Sequence, residues 1–284
     1  MVKLIRMIRQ VQNGNTEHRT RNTEHGTQNT EHRTRNTKHR TNLKAMIFAA
    51  GLGTRLKPLT DSIPKALLPI GGKPLLEHII LKLKAAGFNE IIVNIHHFPE
   101  LILDFLKSNN NFDIRIEVSD ERDSLLDTGG GIMNARWFFD DGKPFLVHNV
   151  DILSNLDVRK LYDEHINTGS MATLVVSKRD TFRYLLFDTD KRLCGWINEK
   201  TGETKPTRFD DISGFNKLAF AGIQVLSPSI FELMDKSKPV FPVMDFYLSI
   251  ARGQIIKGFT PVDFQMMDVG KLNVLDEAER FVTD

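Results

Sequence analysis

The sequence predicts an α/β protein in which a mixed, mostly parallel, doubly wound sheet carries a small antiparallel lobe. From Lys44 to about Ser170, apolar strand patterns alternate with amphipathic helix patterns, which is typical of parallel strands covered by helices on both faces. Beyond about Ser170 the strand patterns follow one another without helices between them. Strands in direct succession pair most readily as antiparallel neighbours. We therefore expect one α/β domain with an appended lobe.

The individual elements are predicted by apolar periodicity and by the residues that begin and end helices. The clearest is a helix at 74–87, with Pro74 at its first position, Gly87 after its end and one apolar face. Before Ser170 the other predicted elements are strands at 44–50, 90–95, 112–119 and 144–150 and helices at 99–109 and 129–139. Later strands are predicted at 171–177, 183–188 and 217–226, and a final helix at about 272–282.

Composition excludes several classes of protein. The 284 residues are 40% hydrophobic, yet no apolar run approaches the ~18–20 residues that span a bilayer, so no membrane partner is expected. The single cysteine, Cys194, can form neither an internal disulfide nor a cysteine-based metal site, which fits a reducing compartment. We expect a soluble, cytoplasmic protein that is a monomer or a simple homo-oligomer.

A basic, repetitive tail precedes the predicted domain. Residues 1–45 hold 10 Lys+Arg and 3 Asp+Glu, whereas the rest of the chain has a net charge of −5. Residues 15–42 contain four copies of a seven-residue unit such as NTEHRTR, which has no apolar position for a coiled-coil seam. A short tandem DNA repeat that is translated in frame explains this repetition better than metal binding or nucleic-acid binding does. No nucleic-acid partner is therefore expected. We predict that 1–43 is disordered, that a mis-assigned translation start accounts for it, and that 44–284 forms the domain.

The stretch AAGLGTRLKPLTDSIPK follows the first predicted strand, where open α/β sheets bind their ligands. Gly51 and Gly53 let the backbone turn tightly and present N–H groups to an anion, while Arg55 and Lys65 supply positive charge. The third glycine of a dinucleotide fingerprint is missing, because Leu56 stands in its place, and no Gly-Lys-Ser/Thr of a Walker A loop occurs here. The stretch therefore predicts a polyphosphate site of another kind.

This stretch resembles the Gly-x-Gly-Thr-Arg and Pro-Lys signature of the sugar-1-phosphate nucleotidylyltransferases, here GLGTR ending at Arg55 and then Pro64-Lys65. Further segments that resemble the family extend the likeness over essentially all of 44–284. They are DTGGGI at 127–132, HNVD at 148–151, GWINEKTGE at 195–203 and MMDVG at 266–270. The Thr-Gly-Gly-Gly form of the first segment is most similar to that of the N-acetylmuramate-1-phosphate uridylyltransferases.

The resemblance implies a nucleotide-diphospho-sugar transferase fold, whose small antiparallel lobe binds the sugar, and it implies a set of site residues. Arg55 and Lys65 are the implied catalytic residues. Together with them, the implied nucleotide contacts are Ala49, Ala50, Gly51, Gly53, Thr54, Asp127, Thr128, Gly129, Gly130 and Asn149. The implied substrate contacts are Asn149, Glu199 and Lys200, and the implied ligands of Mg²⁺, or of Mn²⁺ in its place, are Asp151 and Asp268. Val150, Thr201 and Lys271 depart from the family pattern and bear on the identity of the sugar more than on the reaction type.

The residues suit the reaction that the resemblance implies, in which a sugar 1-phosphate oxygen attacks the α-phosphorus of an NTP and expels pyrophosphate. The attacking phosphate is largely ionised at pH 7, since its second pKa is ~6, so the protein must supply positioning and charge neutralisation. Arg55 suits the β- and γ-phosphates because its planar fork grips two oxygens, and Lys65 suits the α-phosphate. Lys200, with Lys205 as the alternative, would hold the sugar phosphate.

Three functions stay open at this point, and the first two have small-molecule partners, an NTP and a sugar 1-phosphate. The favoured pair is UTP with N-acetylmuramate 1-phosphate. The second function is the same reaction with mannose or heptose 1-phosphate and GTP, or glucose 1-phosphate and dTTP or CTP. The third is a non-catalytic regulatory relative, which would be expected to lose the arginine, the lysine or a metal-binding aspartate, whereas this chain keeps all of them.

Overall fold

The structure, a computed structural model, describes residues 42–206 and 211–283. Its compact unit begins at Leu43, and within the described residues no helix is long and apolar enough to cross a bilayer. The disorder predicted for the repeat tail concerns residues that lie, apart from the last two, outside this described part, and it stays a prediction.

The first half of the domain alternates strands and helices, as predicted. In chain order it contains β1 (Leu43–Phe48), the short pair β2 (Pro69–Ile70) and β3 (Lys73–Pro74), α1 (Leu75–Ala85), β4 (Phe88–Ile95), α2 (Pro99–Ser108), β5 (Arg115–Asp120), α3 (Asp127–Asn134) and β6 (Phe145–Asn149). The helix predicted at 129–139 is shorter than expected, because it ends at Asn134 and gives way to a separate 3-10 turn at Arg136–Phe138.

The second half contains the predicted strands and several elements that were not predicted. In chain order they are β7 (Ile152–Ser154), α4 (Val158–Thr168), β8 (Ala172–Ser177), β9 (Arg183–Phe187), β10 (Leu193–Asn198), β11 (Glu203–Lys205), β12 (Asn216–Leu226), α5 (Val243–Ile250), β13 (Ile256–Phe259), β14 (Met266–Asp268) and α6 (Leu275–Thr283). No helix separates β8, β9 and β12, as expected, but α4 and α5 flank this group of strands.

Ten strands form one mixed sheet, which confirms the predicted fold class. Eight of them follow the order β11-β10-β9-β12-β6-β1-β4-β5, while β8 pairs with β12 and β13 pairs with β8. The pairs among β1, β4, β5 and β6 are parallel, as is β13 with β8, and β12 pairs antiparallel with β6, β8 and β9. The antiparallel strands thus continue the parallel sheet instead of forming a separate one.

Three parallel strands end side by side and define one edge of this sheet. In the register, Phe48 at the end of β1 lies beside Asn94 of β4 and Asn149 of β6. Ala45 and Met46 in β1 are fully buried, because helices cover both faces of a parallel sheet, and this burial explains the continuous apolar run in the sequence. The loops after β1, β4 and β6 are therefore gathered at one place.

A second, two-stranded sheet brings the end of the domain to the same edge. Strand β14 pairs antiparallel with β7, with Asp268 opposite Ile152. The N–H of Val269 donates a hydrogen bond of 2.8 Å to the carbonyl oxygen of Asp151. Asp268, the last residue of β14, and Asp151, the residue directly before β7, are far apart in the chain but consequently lie close together.

Candidate active site

A cleft of about 530 Å³ lies at the carboxyl edge of β1, β4 and β6. It is lined by the loop after β1, by the ends of β4 and β6, by the segment that leads into α3 and by Val240. Of the predicted site residues, those that line the cleft are Ala49, Ala50, Gly51, Lys65, Asp127, Thr128, Asn149 and Asp151. The structure therefore brings three of the segments that the sequence singled out, the loop after β1, the start of 127–132 and the end of 148–151, to one concave surface, where α/β sheets bind ligands.

The two glycines of the first loop, Gly51 and Gly53, differ in how tightly the surrounding protein constrains them. Gly53 has a positive φ of 63°, and a Cβ there would lie 2.9 Å from Cγ2 of Thr60, so this position requires glycine. The Thr60 hydroxyl also donates to the Gly53 carbonyl at 2.9 Å, which fixes the turn before the exposed Thr54 and Arg55. A Cβ at Gly51 would meet no protein atom within 4 Å. Gly51 is thus free of packing constraints and faces the cleft.

A buried polar network that sequence reasoning missed holds the start of this loop. The backbone N–H of Ala49 donates to Oδ1 of Asn94 at 2.7 Å, and Nδ2 of Asn94 donates to Oε1 of Glu121 at 2.8 Å. Glu121 is 3% exposed, and burial raises the pKa of its carboxyl group although the Asn94 hydrogen bond opposes this. The other carboxylate oxygen accepts from the N–H of Leu126. Glu121 therefore ties the first loop to the segment before α3.

Lys65 is the buried cation of the cleft. It lies in the 3-10 turn Lys65–Leu67, is 8% exposed, and its Nζ forms an ion pair with Oδ2 of Asp151. A buried charge is tolerated only when it is paired and hydrogen-bonded, and Asp151 meets that requirement. The predicted phosphate-binding lysine and the predicted metal-binding aspartate are in direct contact.

Arg55 and Asp268 converge at Gly270, just beyond β14. A Cβ built on Gly270 would lie 2.7 Å from Oδ1 of Asp268 and 2.8 Å from Nη2 of Arg55. Both side chains are exposed, so the guanidinium and the carboxylate face solvent at the rim of the site. Because β14 is paired with β7, this rim adjoins Asp151.

Gly129 and Gly130 are placed by packing and do not line the cleft. Their N–H groups both point at the carbonyl oxygen of Phe241, at 2.8 and 3.3 Å. A Cβ on Gly129 would lie 2.2 Å from the Phe241 ring, and one on Gly130 would lie 2.1 Å from the Pro239 carbonyl oxygen. The prediction that they contact the nucleotide receives no support from this geometry, since their backbone donors are already used. Their neighbours at 127 and 128 form the cleft wall.

Asn149 contacts His148 through its backbone carbonyl group and lies beside Gly222 of β12 with its side chain. Burial lowers the pKa of His148 to about 4, so its imidazole is neutral at pH 7, and its Nδ1 lies 2.8 Å from the Asn149 carbonyl oxygen. Gly222 in β12 has a φ of 75°, and a Cβ there would lie 2.8 Å from Nδ2 of Asn149. Because Gly222 has no side chain, there is room beside it for the side chain of Asn149.

Comparison with known families agrees with this arrangement. Residues 44–284 match the nucleotidyl transferase family. The chain belongs to the nucleotidyl transferase family. The match covers both halves of the sheet and every residue of the site described above.

The relatives of this chain include both guanylyltransferases and uridylyltransferases. It is 32% identical to mannose-1-phosphate guanylyltransferase 1 of Arabidopsis thaliana, over 81% of this chain and 62% of that protein. It is 33% identical to N-acetylmuramate alpha-1-phosphate uridylyltransferase of Caulobacter vibrioides, over 66% of this chain and 76% of that protein. The chain spans 55–62% of the length of the plant relatives it matches.

Solved structures give the same fold. A UDP-glucose pyrophosphorylase complexed with UDP-glucose superposes with a TM-score of 0.65 at 20% identity, over 85% of this chain and 98% of that one. The mixed sheet is therefore that of the nucleotide-diphospho-sugar transferases, as the resemblance implied.

The nucleotidyl transferase site offers two carboxylates for a divalent cation. Among the described residues, no group of three or more His, Cys, Asp or Glu side chains is arranged to hold a metal. Mg²⁺ is usually bound by one or two carboxylates together with substrate phosphates and waters, and not by a complete protein cage. The adjacent Asp151 and Asp268 fit a cation of that kind, which would be held jointly with a substrate.

Glu199 and Lys200 lie apart from this cleft. They occupy an exposed turn after β10, where Glu199 pairs with Lys217 at 2.9 Å and the Lys200 N–H donates to Oδ1 of Asn198. Neither lines the cleft at the edge of β1. Their role in substrate binding stays a prediction, and the alternative, Lys205, lines a second cleft described below.

Proposed function

We propose that this chain transfers a nucleotidyl group from an NTP, with UTP favoured, to a sugar 1-phosphate, with N-acetylmuramate 1-phosphate favoured. The products are an NDP-sugar and pyrophosphate. One observation carries the proposal: the unobstructed Gly51 of the first loop, the buried Lys65, and Asp151 and Asp268 beside the paired strands β7 and β14 meet at one sheet edge. The proposed location is the cytoplasm.

The first step of the mechanism is binding of the triphosphate along the loop after β1. Gly51 presents backbone to the cleft without a Cβ, so phosphate oxygens can approach the chain closely. The Asn94–Glu121 network fixes the Ala49 N–H at the start of this loop. Arg55 at the rim can grip two oxygens of the β- and γ-phosphates with its planar fork.

The second step is displacement at the α-phosphorus. An oxygen of the sugar 1-phosphate forms a bond to this phosphorus, and the bond to the oxygen bridging to the β-phosphate breaks. The electron pair leaves with pyrophosphate, so no acid, base or covalent protein intermediate is needed. Lys65 lies beside Asp151 and can donate to an α-phosphate oxygen as charge shifts, which is the electrostatic contribution that dominates phosphoryl transfer.

A divalent cation completes the charge balance in this proposal. Asp151 and Asp268 would hold Mg²⁺, or Mn²⁺ in its place. When bound, such an ion neutralises phosphate charge and orients the two substrates. The ion pair with Lys65 fixes the position of the Asp151 carboxylate, which lines the cleft.

A second pair of substrates, GTP with mannose 1-phosphate, is favoured by a specific observation. The guanylyltransferases of Arabidopsis and rice are 32–36% identical to this chain, which is as similar as the uridylyltransferases at 33%. Discrimination between bases and between sugars rests on a few contacts that overall identity does not report.

A panel assay tests the proposal. UTP, GTP, CTP, dTTP and ATP would each be combined with N-acetylmuramate, mannose, heptose and glucose 1-phosphates, and pyrophosphate release measured with Mg²⁺ and with EDTA. We expect release with UTP and N-acetylmuramate 1-phosphate, and none with EDTA. Asp151→Asn should lower the rate by several orders of magnitude and leave the fold intact. Failure of every pair, or full turnover in EDTA, would contradict the proposed reaction.

A further inference from the structure

A second cleft, of about 560 Å³, lies over the antiparallel half of the sheet. Its floor is apolar and aromatic, with Trp196 of β10 and Phe220 of β12 among the lining side chains. Its polar wall includes three cationic side chains, Arg179, Arg183 and Lys205, and two carboxylates, Glu203 and Asp245. An aromatic floor together with an excess of cations over carboxylates suits a polar ring that carries negative charge.

The three cations differ in how they are neutralised. Lys205 pairs with Asp245 at 2.7 Å and lies 5.5 Å from the centroid of the Trp196 ring. Within the described part of the chain, by contrast, neither Arg179 nor Arg183 forms an ion pair with a carboxylate. Arg179 donates from Nη2 to the Phe220 carbonyl oxygen at 3.0 Å, which directs its guanidinium along the cleft wall. Two guanidinium groups are therefore available to an anion.

The second cleft borders the first through two shared elements. Phe220 lines the second cleft, and Gly222, next but one along β12, abuts the Asn149 side chain that lines the first. Pro242 lines the second cleft, and the N–H of Val243 donates to the Thr128 hydroxyl of the first cleft wall at 2.9 Å. A substrate whose phosphate lies near Lys65 can thus extend along β12 toward the two arginines.

We propose that Arg179 and Arg183, which line the second cleft, bind an acidic substituent of the acceptor sugar, a carboxylate. This inference rests on the proposed function. The 1-phosphate itself cannot be the anion in question, because its oxygen must reach the α-phosphorus beside Lys65. The arginines consequently face the part of the sugar remote from C1, and a carboxylate matches the guanidinium fork in geometry and charge.

Two acceptors that differ only in the group bearing the carboxylate test this inference. N-acetylmuramate 1-phosphate and N-acetylglucosamine 1-phosphate differ only in the lactyl ether that bears the carboxylate. With the wild-type protein we expect the acidic acceptor to have the higher kcat/KM. In the Arg179→Gln, Arg183→Gln double variant, KM for the acidic acceptor should rise roughly 10- to 100-fold, the range for a lost charge-assisted pair, while KM for the neutral acceptor stays unchanged.

Controls separate this inference from loss of folding and from failure of the proposed reaction. Both arginines are exposed, so neutral replacements should not unfold the chain. Arg159→Gln removes an exposed arginine of α4 that pairs with Asp163, and it should leave both acceptors unaffected. An equal KM increase for both acceptors, an acidic preference that survives in the double variant, or a wild-type preference for neutral acceptors would overturn the inference and leave the reaction standing. Absence of pyrophosphate release with every acceptor would overturn both.

Discussion

Lys65 and Arg55 are held in opposite ways by the fold, although both were singled out by the same stretch of sequence. Lys65 is buried and paired with Asp151, so its position is fixed before substrate arrives. Arg55 is exposed at the rim beside Asp268 and Gly270. A fixed buried cation suits a charge that develops during the reaction, whereas an exposed one suits the binding of a mobile triphosphate tail.

Replacing either cation should affect turnover. Loss of one preorganised electrostatic donor typically lowers kcat by ~10²–10³-fold, and we expect this for Lys65→Ala and Arg55→Ala in steady-state assays with both substrates varied. Arg55→Lys keeps the charge but loses the bidentate fork, so it should recover only part of the rate. A normal kcat with a raised KM for the NTP in Lys65→Ala would show that Lys65 only anchors the nucleotide.

The two loop glycines provide a matched pair of variants. Gly51→Ala should leave the melting temperature within a few degrees of wild type, because a Cβ there meets no protein atom within 4 Å, and should weaken NTP binding by obstructing the cleft. Gly53→Ala should destabilise the fold by more than ~1 kcal/mol, because alanine at positive φ is strained. Calorimetric melting and NTP titration measure the two effects. Normal NTP affinity in folded Gly51→Ala would contradict the proposed path of the phosphates.

At the level of elements, the sequence predicted the strands that carry the site better than the contacts between them. The apolar run of β1 and the glycines after it placed the first loop correctly. Asp268 was linked to Asp151 only by family resemblance, because antiparallel pairing of β7 with β14 joins distant parts of the chain. Asn94 and Glu121 were missed because their roles depend on a hydrogen bond between neighbouring strand ends, which no local pattern reveals.

Helix α4 shows what local signals could have added. It begins after Asp157, whose side chain accepts from the Lys160 N–H at 3.0 Å, and it ends at Gly169 in the left-handed conformation. Both are recognisable helix boundaries, and its buried residues follow a helical spacing. Helix α5 has weaker sequence signals, since its short apolar sequence is equally compatible with a strand.

The packing of α4 makes the stability of the protein depend on pH. His165 is 1% exposed, lies between the hydroxyl groups of Thr173 and Ser227 at 2.9 and 3.0 Å, and burial lowers its pKa to about 4. A histidine that is neutral when folded and protonates when unfolded costs stability as pH falls from about 6.5 toward 4. The stability is fully present above that window.

We expect the free energy of unfolding of the wild type to fall relative to that of His165→Gln by ~2 kcal/mol between pH 7.5 and pH 5.0. Urea unfolding of both proteins at the two pH values measures this change. The comparison between proteins cancels the contribution of Glu121, whose raised pKa acts in the opposite direction. A constant difference between the two proteins would show that His165 is not buried in its neutral form.

For the whole molecule, the alternation of strands and helices predicted the α/β class, and the single mixed sheet confirms it. That the antiparallel strands extend the same sheet could not be predicted, because strand order is set by long-range pairing, here through β12. The start of the domain at residue 44 stays a prediction. Leu43 is 4% exposed in β1, so it belongs to the core.

Removal of the repeat tail tests the domain assignment. A chain that begins at Leu43 after an initiating methionine should melt within a few degrees of the full chain and keep its activity, because the repeat has no apolar face to bury. A matched chain that begins at Met46 loses three residues of β1 and should be clearly less stable. Loss of turnover in the Leu43 chain would show that the tail belongs to the functional unit.

The proposed reaction moves the α-phosphorus of an NTP onto a sugar 1-phosphate in this cleft, a claim that the fate of this phosphorus can decide. The most direct measurement follows UTP labelled at the α-phosphorus, mixed with N-acetylmuramate 1-phosphate and Mg²⁺, in the wild type and in Lys65→Ala. We predict that the label enters a UDP-sugar, that pyrophosphate is released unlabelled in equal amount, and that both fall together in the variant. Label that stays in UTP, or that appears as UMP without a sugar, with every acceptor and every labelled NTP of the panel would contradict the claim.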